Sequence, residues 1–419
     1  MNINPKNSLT RHRWLILGVI CLINLCAGSI YAWSVLATAT ASHFTSTLGT
    51  LVTAGDLSIA FGLANAVGPI PMILGGLVND RFGPRKVILT GGALIGSGLI
   101  LCGWSTSVEM LIISYGVLFG LGLGLTYGAC ISTAIRYFPD RRGMAGGLVT
   151  AAYGLSSVLV PPVAQVLIEN IGIMQTFIVL GIVFGAVIMT GSLVCKRCPS
   201  NFVPTGMKVD ADTNSINGST WREMLESPIF YPMILLLLCG AVAGMMVISQ
   251  AASVAQSDIG MSAVAAAASV SVIALFNMGS RLVAGILSDR FGRLNMLMGG
   301  LSLSALGMLI LMSAGHGDEM SFYFGCICVG LSFGAFMAIY PGFTADRFGT
   351  AHASVNYGIM FCGFSSAGFG GPLIMRTMMA NGFTFADCCL VGLCFCVVGF
   401  MFALICKKMM RRFESGYRH

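Results

Sequence analysis

Charged residues are scarce in this sequence. Lysine, arginine, aspartate and glutamate together make up 9% of the 419 residues, whereas hydrophobic residues make up 56%. A water-soluble protein of this length needs a much more charged surface, so the composition excludes a soluble globular class. The strict alternation that is typical of membrane β-strands is absent as well. Both absences favour an all-α membrane protein.

Long apolar runs, in contrast, are abundant. They reach about 20 residues, enough for an α-helix to cross a hydrocarbon layer of about 30 Å. We predict twelve transmembrane helices, arranged as two pseudo-symmetric halves of six. The expected boundaries are 14–36, 51–75, 86–105, 108–133, 143–168, 174–195, 230–251, 263–286, 294–314, 320–341, 353–376 and 384–406.

The few basic residues are sorted along the chain. Of the 23 Lys and Arg residues, all but Arg281 and Arg376 fall before the first helix, in every second loop, in the central polar stretch or in the tail. By the positive-inside rule both termini are cytoplasmic, in a multi-pass protein of the inner (plasma) membrane. We expect the first apolar run to be retained, since it exceeds the apolar core of a usual signal peptide. The net charge of +7 thus reflects topology, and no nucleic-acid partner is expected.

Two charged motifs each occur twice, at nearly the same offset. Residues 76–86 (GLVNDRFGPRK) have a counterpart in 285–293 (GILSDRFGR), and residues 139–143 (PDRRG) have one in 346–349 (DRFG). Such a repeat indicates duplicated halves, which is a known transporter architecture. The predicted domains are a first half at 1–195, a cytoplasmic linker at 196–228 and a second half at 229–419.

The pattern Gly-x-x-x-Asp-Arg-x-Gly-x-Arg-Lys after the second helix resembles the signature loop of the major facilitator superfamily. An aspartate at a helix end that pairs with an arginine locks neighbouring helices in one conformation. We therefore expect conformational gating by the charged residues of the four motif copies. These are Asp80, Arg81, Arg85, Asp289, Arg290, Arg293, Asp140, Arg141, Asp346 and Arg347.

Small and sulfur-containing residues are interpreted as packing. Gly116, Gly120, Gly124 and Gly128 are spaced by four and share one face of the fourth helix, which predicts a close helix contact. Most of the 15 cysteines lie inside apolar runs, and the one Cys-x-x-Cys, at residues 195–198, has no second pair. We expect neither a bound metal nor a cofactor.

Arg281 narrows the function more than any other residue. It lies eight residues before Asp289, about 12 Å along a helix from the cytoplasmic end. A guanidinium at that depth is costly unless it faces protein, water or a counter-ion. No Asp or Glu falls in the middle of a predicted helix, and Asp56, at the start of the second, comes closest. We interpret Arg281 as the binding site of a mobile anion, with snorkelling of the side chain to the cytoplasmic edge as the alternative.

Arg281 ends the segment 275–281 (LFNMGSR), and related segments occur at 29–34 (SIYAWS), 127–128 (YG), 136–143 (RYFPDRRG) and 356–358 (NYG). Together these segments resemble the oxalate/formate antiporter family. The resemblance implies a central cavity in which the arginine of helix eight binds a carboxylate and aromatic side chains enclose it. The residues implied are Arg281, Asn277, Tyr31, Trp33, Tyr127, Tyr153 and Phe333. For each aromatic residue, ordinary packing in the core or at the lipid interface is an equal alternative.

The chain departs from this family at one position. The oxalate carrier has a second cation, a lysine six residues after the Asn-Tyr-Gly of helix eleven, where this sequence has Phe364. One arginine balances one carboxylate, and a dianion would leave an unpaired charge in a medium of low dielectric constant. We therefore expect a monocarboxylate such as formate, lactate or pyruvate, bound by a carrier that functions as a monomer in the lipid bilayer. Oxalate:formate antiport is the alternative.

Other classes fit the sequence less well. A drug exporter or a sugar carrier would need membrane-embedded acids or amides that are missing, and the short loops leave little room for the output domain of a sensor. No nucleophile–base pair indicates an enzyme. Proton-linked relatives place an aspartate four residues before the arginine, where this chain has Asn277. Exchange is therefore favoured, with proton symport through another group such as Asp56 as the alternative.

Overall fold

The computed structural model describes residues 5–199, 202–204 and 218–416. All regular secondary structure in these three ranges is helical. Twelve helical spans within them are long and apolar enough to cross a membrane. The predicted all-α fold with twelve transmembrane helices is confirmed. Residues 200–201 and 205–217 of the predicted linker lie outside the described part of the chain.

We number the spans 1 to 12 along the chain. Three of them combine several helical segments: span 1 (Pro5–Ala27, the 3-10 turn Gly28–Ala32 and Trp33–Leu48), span 2 (Ala54–Val67 and Pro69–Phe82) and span 4 (Val108–Leu111, the π-helical Ile112–Phe119 and Gly120–Tyr137). The other spans are single α-helices: Pro84–Gly103 (3), Arg142–Ile171 (5), Ile173–Val194 (6), Phe230–Ser257 (7), Ala263–Phe291 (8), Arg293–Ser313 (9), Glu319–Phe348 (10), Ala353–Ala380 (11) and Phe385–Gly416 (12).

Several helices extend beyond their predicted ends. Span 1 continues to Leu48 and span 10 continues through Pro341 to Phe348, whereas the apolar windows end at 36 and 341. An apolar window detects the part of a helix that meets hydrocarbon, and backbone hydrogen bonding continues into the polar ends. Gly83 and Gly292, with φ of 89° and 88°, end spans 2 and 8 at equivalent places in the repeated motif.

Side-chain caps start several helices. The short helix Trp221–Glu226 begins at Thr220, whose hydroxyl accepts the Glu223 backbone N–H while the Glu223 carboxylate accepts that of Thr220. This reciprocal cap satisfies two otherwise unbonded donors.

The glycine face of span 4 packs against span 2. A Cβ atom added to Gly120 would lie 2.7 Å from Ala64 Cα, and one added to Gly116 would lie 2.8 Å from the Leu63 side chain. These distances are too short for any larger residue. The close helix contact predicted from the glycine spacing is confirmed.

Residue contacts divide the chain into two compact units. The first unit comprises Met1–Ala145, Ala152–Ser219 and Phe348–Ile359, and the second comprises Gly146–Ala151, Thr220–Arg347 and Met360–His419. A short piece of span 5 thus packs with the second unit, and the start of span 11 packs with the first. The domain division at 196–228 stays a prediction.

Candidate functional site

Arg281 lies in span 8 of the second unit, with its side chain enclosed by protein. The residue is 2% exposed and is among the largest fully buried side chains of the described residues. A guanidinium that snorkelled along an outward-facing surface would be far more exposed. The buried placement is what an internal anion site requires.

The guanidinium of Arg281 makes two hydrogen bonds, both to neutral acceptors. Nε donates to Asn277 Oδ1 at 3.0 Å, one helical turn earlier, and Nη1 donates to the Thr150 carbonyl at 2.8 Å. Within the described ranges, no carboxylate oxygen forms an ion pair with it and no group accepts a hydrogen bond from Nη2. Its charge is met only by dipoles, and it retains donors for a carboxylate.

Span 10 holds the backbone of span 8 at this point. A Cβ atom added to Gly334 would collide with the Asn277 carbonyl, and one added to Gly330 would lie 3.0 Å from the Ile273 carbonyl oxygen. The Ser280 hydroxyl donates to the Leu331 carbonyl. These contacts fix the helix that carries Asn277 and Arg281.

Two of the predicted aromatic residues cluster in the second unit. The ring centroids of Phe333 and Phe364 are 5.8 Å apart, and Phe361 lies 4.8 Å from Phe364. Phe364, the position of the missing cation, is therefore part of an apolar cluster. Arg376, in the same helix, is exposed.

Three tyrosines cluster in the first unit. Tyr153 lies 5.4 Å from Tyr31 and 4.9 Å from Tyr127 between ring centroids. Gly28 permits this, because a Cβ atom there would collide with the Tyr153 carbonyl. Tyr31 is 39% exposed and Tyr127 is buried. The cluster presents phenol rings with both apolar and hydrogen-bonding character.

Trp33 lies apart from those tyrosines. It is 6% exposed and packs on Tyr115, with centroids 4.1 Å apart, and Tyr115 in turn stacks on Phe119 at 4.6 Å. The alternative of core packing describes the surroundings of Trp33 best.

Asp80, a member of the predicted gating set, accepts hydrogen bonds from two other parts of the chain. It accepts a hydrogen bond from Arg136 Nη2, and it accepts the backbone N–H groups of Ser354 at 3.3 Å and Val355 at 3.2 Å, at the start of span 11. Arg136 also donates from Nε to the Thr350 carbonyl at 2.9 Å. A carboxylate at a helix N-terminus is favoured by the helix dipole.

The arginine partner of Asp80 lies outside its own motif. Arg81 lies over the ring of Phe82, and Arg85 is exposed. Arg136 is not in the gating set predicted from the sequence, although this residue precedes the second motif by only three positions.

A buried polar network adjoins Asp80. Asn79 Nδ2 donates to the hydroxyls of Ser132 at 3.0 Å and Ser354 at 2.6 Å, and Ser354 donates to Ser132 at 2.8 Å. All three residues are at most 2% exposed. The start of span 11 is therefore tied to spans 2 and 4 by both charge and amide contacts.

The second motif copy forms its own ion pairs in the second unit. Arg293 binds Asp289 at 2.6 Å and Asp346 at 2.9 Å. Arg290 lies over the ring of Phe291. Arg347, the residue after Asp346, is also engaged in an interaction. This copy is satisfied mainly within its own motif pair.

Asp140 pairs with an arginine from span 1. Arg13 Nη1 lies 2.6 Å from Asp140 Oδ1, while Arg141 Nε is 3.9 Å from Asp140 Oδ2. The Arg13 guanidinium also lies over Phe138, 4.5 Å from the ring centroid. Arg13 is a second residue that the motif analysis missed.

The remaining candidate groups have structural roles. Burial raises the pKa of Cys195 and Cys198, just past the end of span 6, to about 12, so neither is a ready thiolate ligand. Among the described residues, no cluster of His, Cys, Asp or Glu is suited to a metal. Asp56 caps span 2 by accepting the Thr53 backbone N–H at 2.8 Å.

The fold resembles solved transporters. The Escherichia coli fucose:proton symporter FucP superposes with a TM-score of 0.71 at 14% identity, over 94% of this chain and 99% of that one. At this low sequence identity, the likeness shows a shared fold and nothing further.

Sequence comparisons find relatives over most of the chain and others over a shorter segment. Uncharacterized MFS-type transporter YhjX of Escherichia coli (strain K12) is 29% identical over 86% of each chain. The oxalate:formate antiporter of Oxalobacter formigenes is 28% identical over 88% of this chain and 87% of its own. Monocarboxylate transporter 12 of Xenopus laevis is 34% identical over 26% of this chain and 24% of its own.

Residues 20–372, most of the chain, match the Major Facilitator Superfamily. With twelve apolar helical spans and relatives that are transporters rather than enzymes, a small-molecule substrate and a membrane setting follow. The protein belongs to the Major Facilitator Superfamily, as a multi-pass membrane transporter.

Proposed function

We propose that the protein is a secondary active transporter of a small monocarboxylate, whose carboxylate is bound by Arg281. The observation that carries this is a buried cation whose described partners are both neutral. A permanent ion pair would leave no reason for an anion to bind. A charge met only by dipoles instead favours a mobile counter-ion.

The aromatic clusters support a small organic anion. In the second unit, Phe333, Phe361 and Phe364 offer an apolar surface. In the first, Tyr31, Tyr127 and Tyr153 offer rings and hydroxyls. We propose that both clusters contribute to substrate selection, each tested by its own substitution.

Charge balance favours a monoanion over a dianion. A phenylalanine occupies position 364, and it packs on other phenylalanines rather than on an acidic partner. Similarity to an oxalate:formate antiporter over 87% of that protein supports the alternative, in which the dianion oxalate is also carried.

We further propose exchange as the transport mode, with the cytoplasmic termini and inner-membrane location given by the positive-inside pattern. Asn277 donates no titratable proton, and Asp56 is engaged in capping span 2. Asp80, Asp289 and their arginines are proposed to bias the conformations of the carrier rather than to touch substrate.

Counterflow in proteoliposomes tests the proposal. Vesicles loaded with unlabelled formate, lactate, pyruvate or oxalate are exposed to the same compound in labelled form. Transient accumulation of at least one monocarboxylate, and not of oxalate, is the expected result. Accumulation of oxalate as strong as that of formate would establish the alternative, and no accumulation of any of the four would contradict carboxylate transport.

A further inference from the structure

Residues 146–151 of span 5 pack tightly on span 8, next to Arg281, in the second unit. A Cβ atom added to Gly147 would lie 2.5 Å from the Arg281 carbonyl oxygen and 3.2 Å from Gly285 Cα. Only glycine permits so close an approach. The two backbones are therefore in contact at the level of the candidate anion site.

The same segment supplies one of the two partners of the Arg281 side chain. The Thr150 carbonyl accepts from Nη1 at 2.8 Å, and the Thr150 hydroxyl turns back to the Gly146 carbonyl at 2.9 Å. Thr150 is buried. The carbonyl oxygen thus places a partial negative charge beside the guanidinium, in a region shielded from water.

A carboxylate is a stronger partner for this guanidinium than a carbonyl. Charge-assisted bonds from arginine to a carboxylate are roughly twice as strong as neutral ones, and they are often bidentate. Since Nε is already bonded to Asn277, the remaining pair of donors is Nη1 and Nη2. A bidentate carboxylate would use Nη1 as well, so its oxygen would compete with the Thr150 carbonyl oxygen, which carries charge of the same sign, at one nitrogen.

We propose that the Thr150 carbonyl substitutes for substrate at Arg281, and that a substrate carboxylate displaces it and releases residues 146–151 from span 8. This rests on the proposed role of Arg281 as the carboxylate site. Thr150 and Gly147 are then positioning residues. The empty carrier keeps the contact and reorients slowly, whereas the loaded carrier loses it, which makes transport an exchange.

The test compares Gly147→Ala with wild type in proteoliposomes. The added methyl group separates the two backbones and weakens the bond to Thr150. Gly279→Ala is the matched control, because a Cβ atom there meets nothing within 4 Å and it lies in the same helix as Arg281. Vesicles are loaded with the labelled monocarboxylate among formate, lactate and pyruvate that gives the strongest counterflow in wild type.

The quantity measured is the ratio of efflux into medium with unlabelled substrate to efflux into medium without it. We expect a ratio of at least about ten in wild type and in Gly279→Ala, and a ratio near one in Gly147→Ala. A folded Gly147→Ala protein with the wild-type ratio would overturn the proposal. Wild type that binds no carboxylate in a thermal-shift assay would instead contradict the proposed function itself.

Hydrogen exchange on wild type decides the matter if Gly147→Ala does not fold. We expect saturating substrate to speed deuterium uptake in peptides over residues 146–151, because the segment is released. In Arg281→Gln, substrate should change nothing there. Equal or slower uptake in wild type with substrate would overturn the proposal, since a bound carboxylate would then leave the contact intact.

Discussion

Two buried charges of this protein are satisfied in different ways. Asp80, in the first unit, faces a full positive charge on Arg136 and two backbone N–H groups. Arg281, in the second, faces an amide oxygen and a carbonyl. The Asp80 carboxylate thus has an oppositely charged partner without any ligand. The Arg281 guanidinium has only neutral, dipolar partners.

The difference separates a structural charge from a binding charge. Breaking a buried ion pair by removing one partner costs about 3–5 kcal/mol of stability, because the other charge is left uncompensated. A cation with no permanent counter-ion has no such partner to abandon. Substitutions at the two sites should therefore act on different properties of the protein.

Arg281→Gln should have the largest effect, on substrate binding. Two charge-assisted hydrogen bonds are worth about 3–6 kcal/mol, so affinity for the transported carboxylate should fall at least about a hundredfold. Stability should change little, since no buried carboxylate loses its partner. Binding can be followed by ligand-induced thermal shift and transport by counterflow. A well-folded variant that transports normally would remove Arg281 from the site.

Asp80→Asn should break the other side of the comparison. The ion pair with Arg136 is lost, so we expect turnover to fall about tenfold or more while substrate affinity stays within about twofold. Asp289→Asn should act in the same direction. Initial rates of counterflow over a range of substrate concentrations separate the two parameters. Unchanged turnover with a large loss of affinity would mean that these motifs contact substrate.

Tyr127→Phe should give a smaller change. Loss of one neutral hydrogen bond to substrate costs about 0.5–1.5 kcal/mol, a reduction in affinity of about twofold to tenfold. Tyr340→Phe is a suitable control, because the Tyr340 hydroxyl already donates to the Met233 carbonyl at 2.7 Å. The control should keep wild-type affinity in the thermal-shift assay. Equal affinities in all three proteins would assign Tyr127 to packing.

Phe364→Lys should have the smallest effect, a change in preference. A cation about 4 Å from a second carboxylate contributes on the order of 4 kcal/mol of attraction at an effective dielectric constant near 20. Desolvation of the lysine opposes most of this, so we expect competition by oxalate to improve only a few-fold relative to formate. Strong oxalate competition in wild type would show that one arginine suffices for a dianion.

Periodic features of the sequence predicted the helices and their close contacts well. The sequence did not predict hydrogen-bond partners that are distant in the chain. The twelve spans and the glycine face of span 4 are visible in the chain because each depends on local spacing. The i, i+4 pair of Asn277 and Arg281 is likewise local. No local pattern, however, connects Asp80 with Arg136, which is 56 residues away in the chain. None connects Arg281 with the Thr150 carbonyl, which is 131 residues away. The carbonyl carries no side-chain signal at all.

The solvent exposure of the two motif copies implies different responses to ionic strength. The side chains of Asp80 and Arg136 are 6% and 13% exposed, whereas Asp346, which pairs with Arg293, is 39% exposed. Mobile ions screen charges that they can approach, over a Debye length of about 8 Å at physiological salt. Salt should therefore weaken the contact at Asp346 and leave the one at Asp80 nearly unchanged. The repeated motif thus gives one contact that depends on the ionic medium and another that is insulated from it.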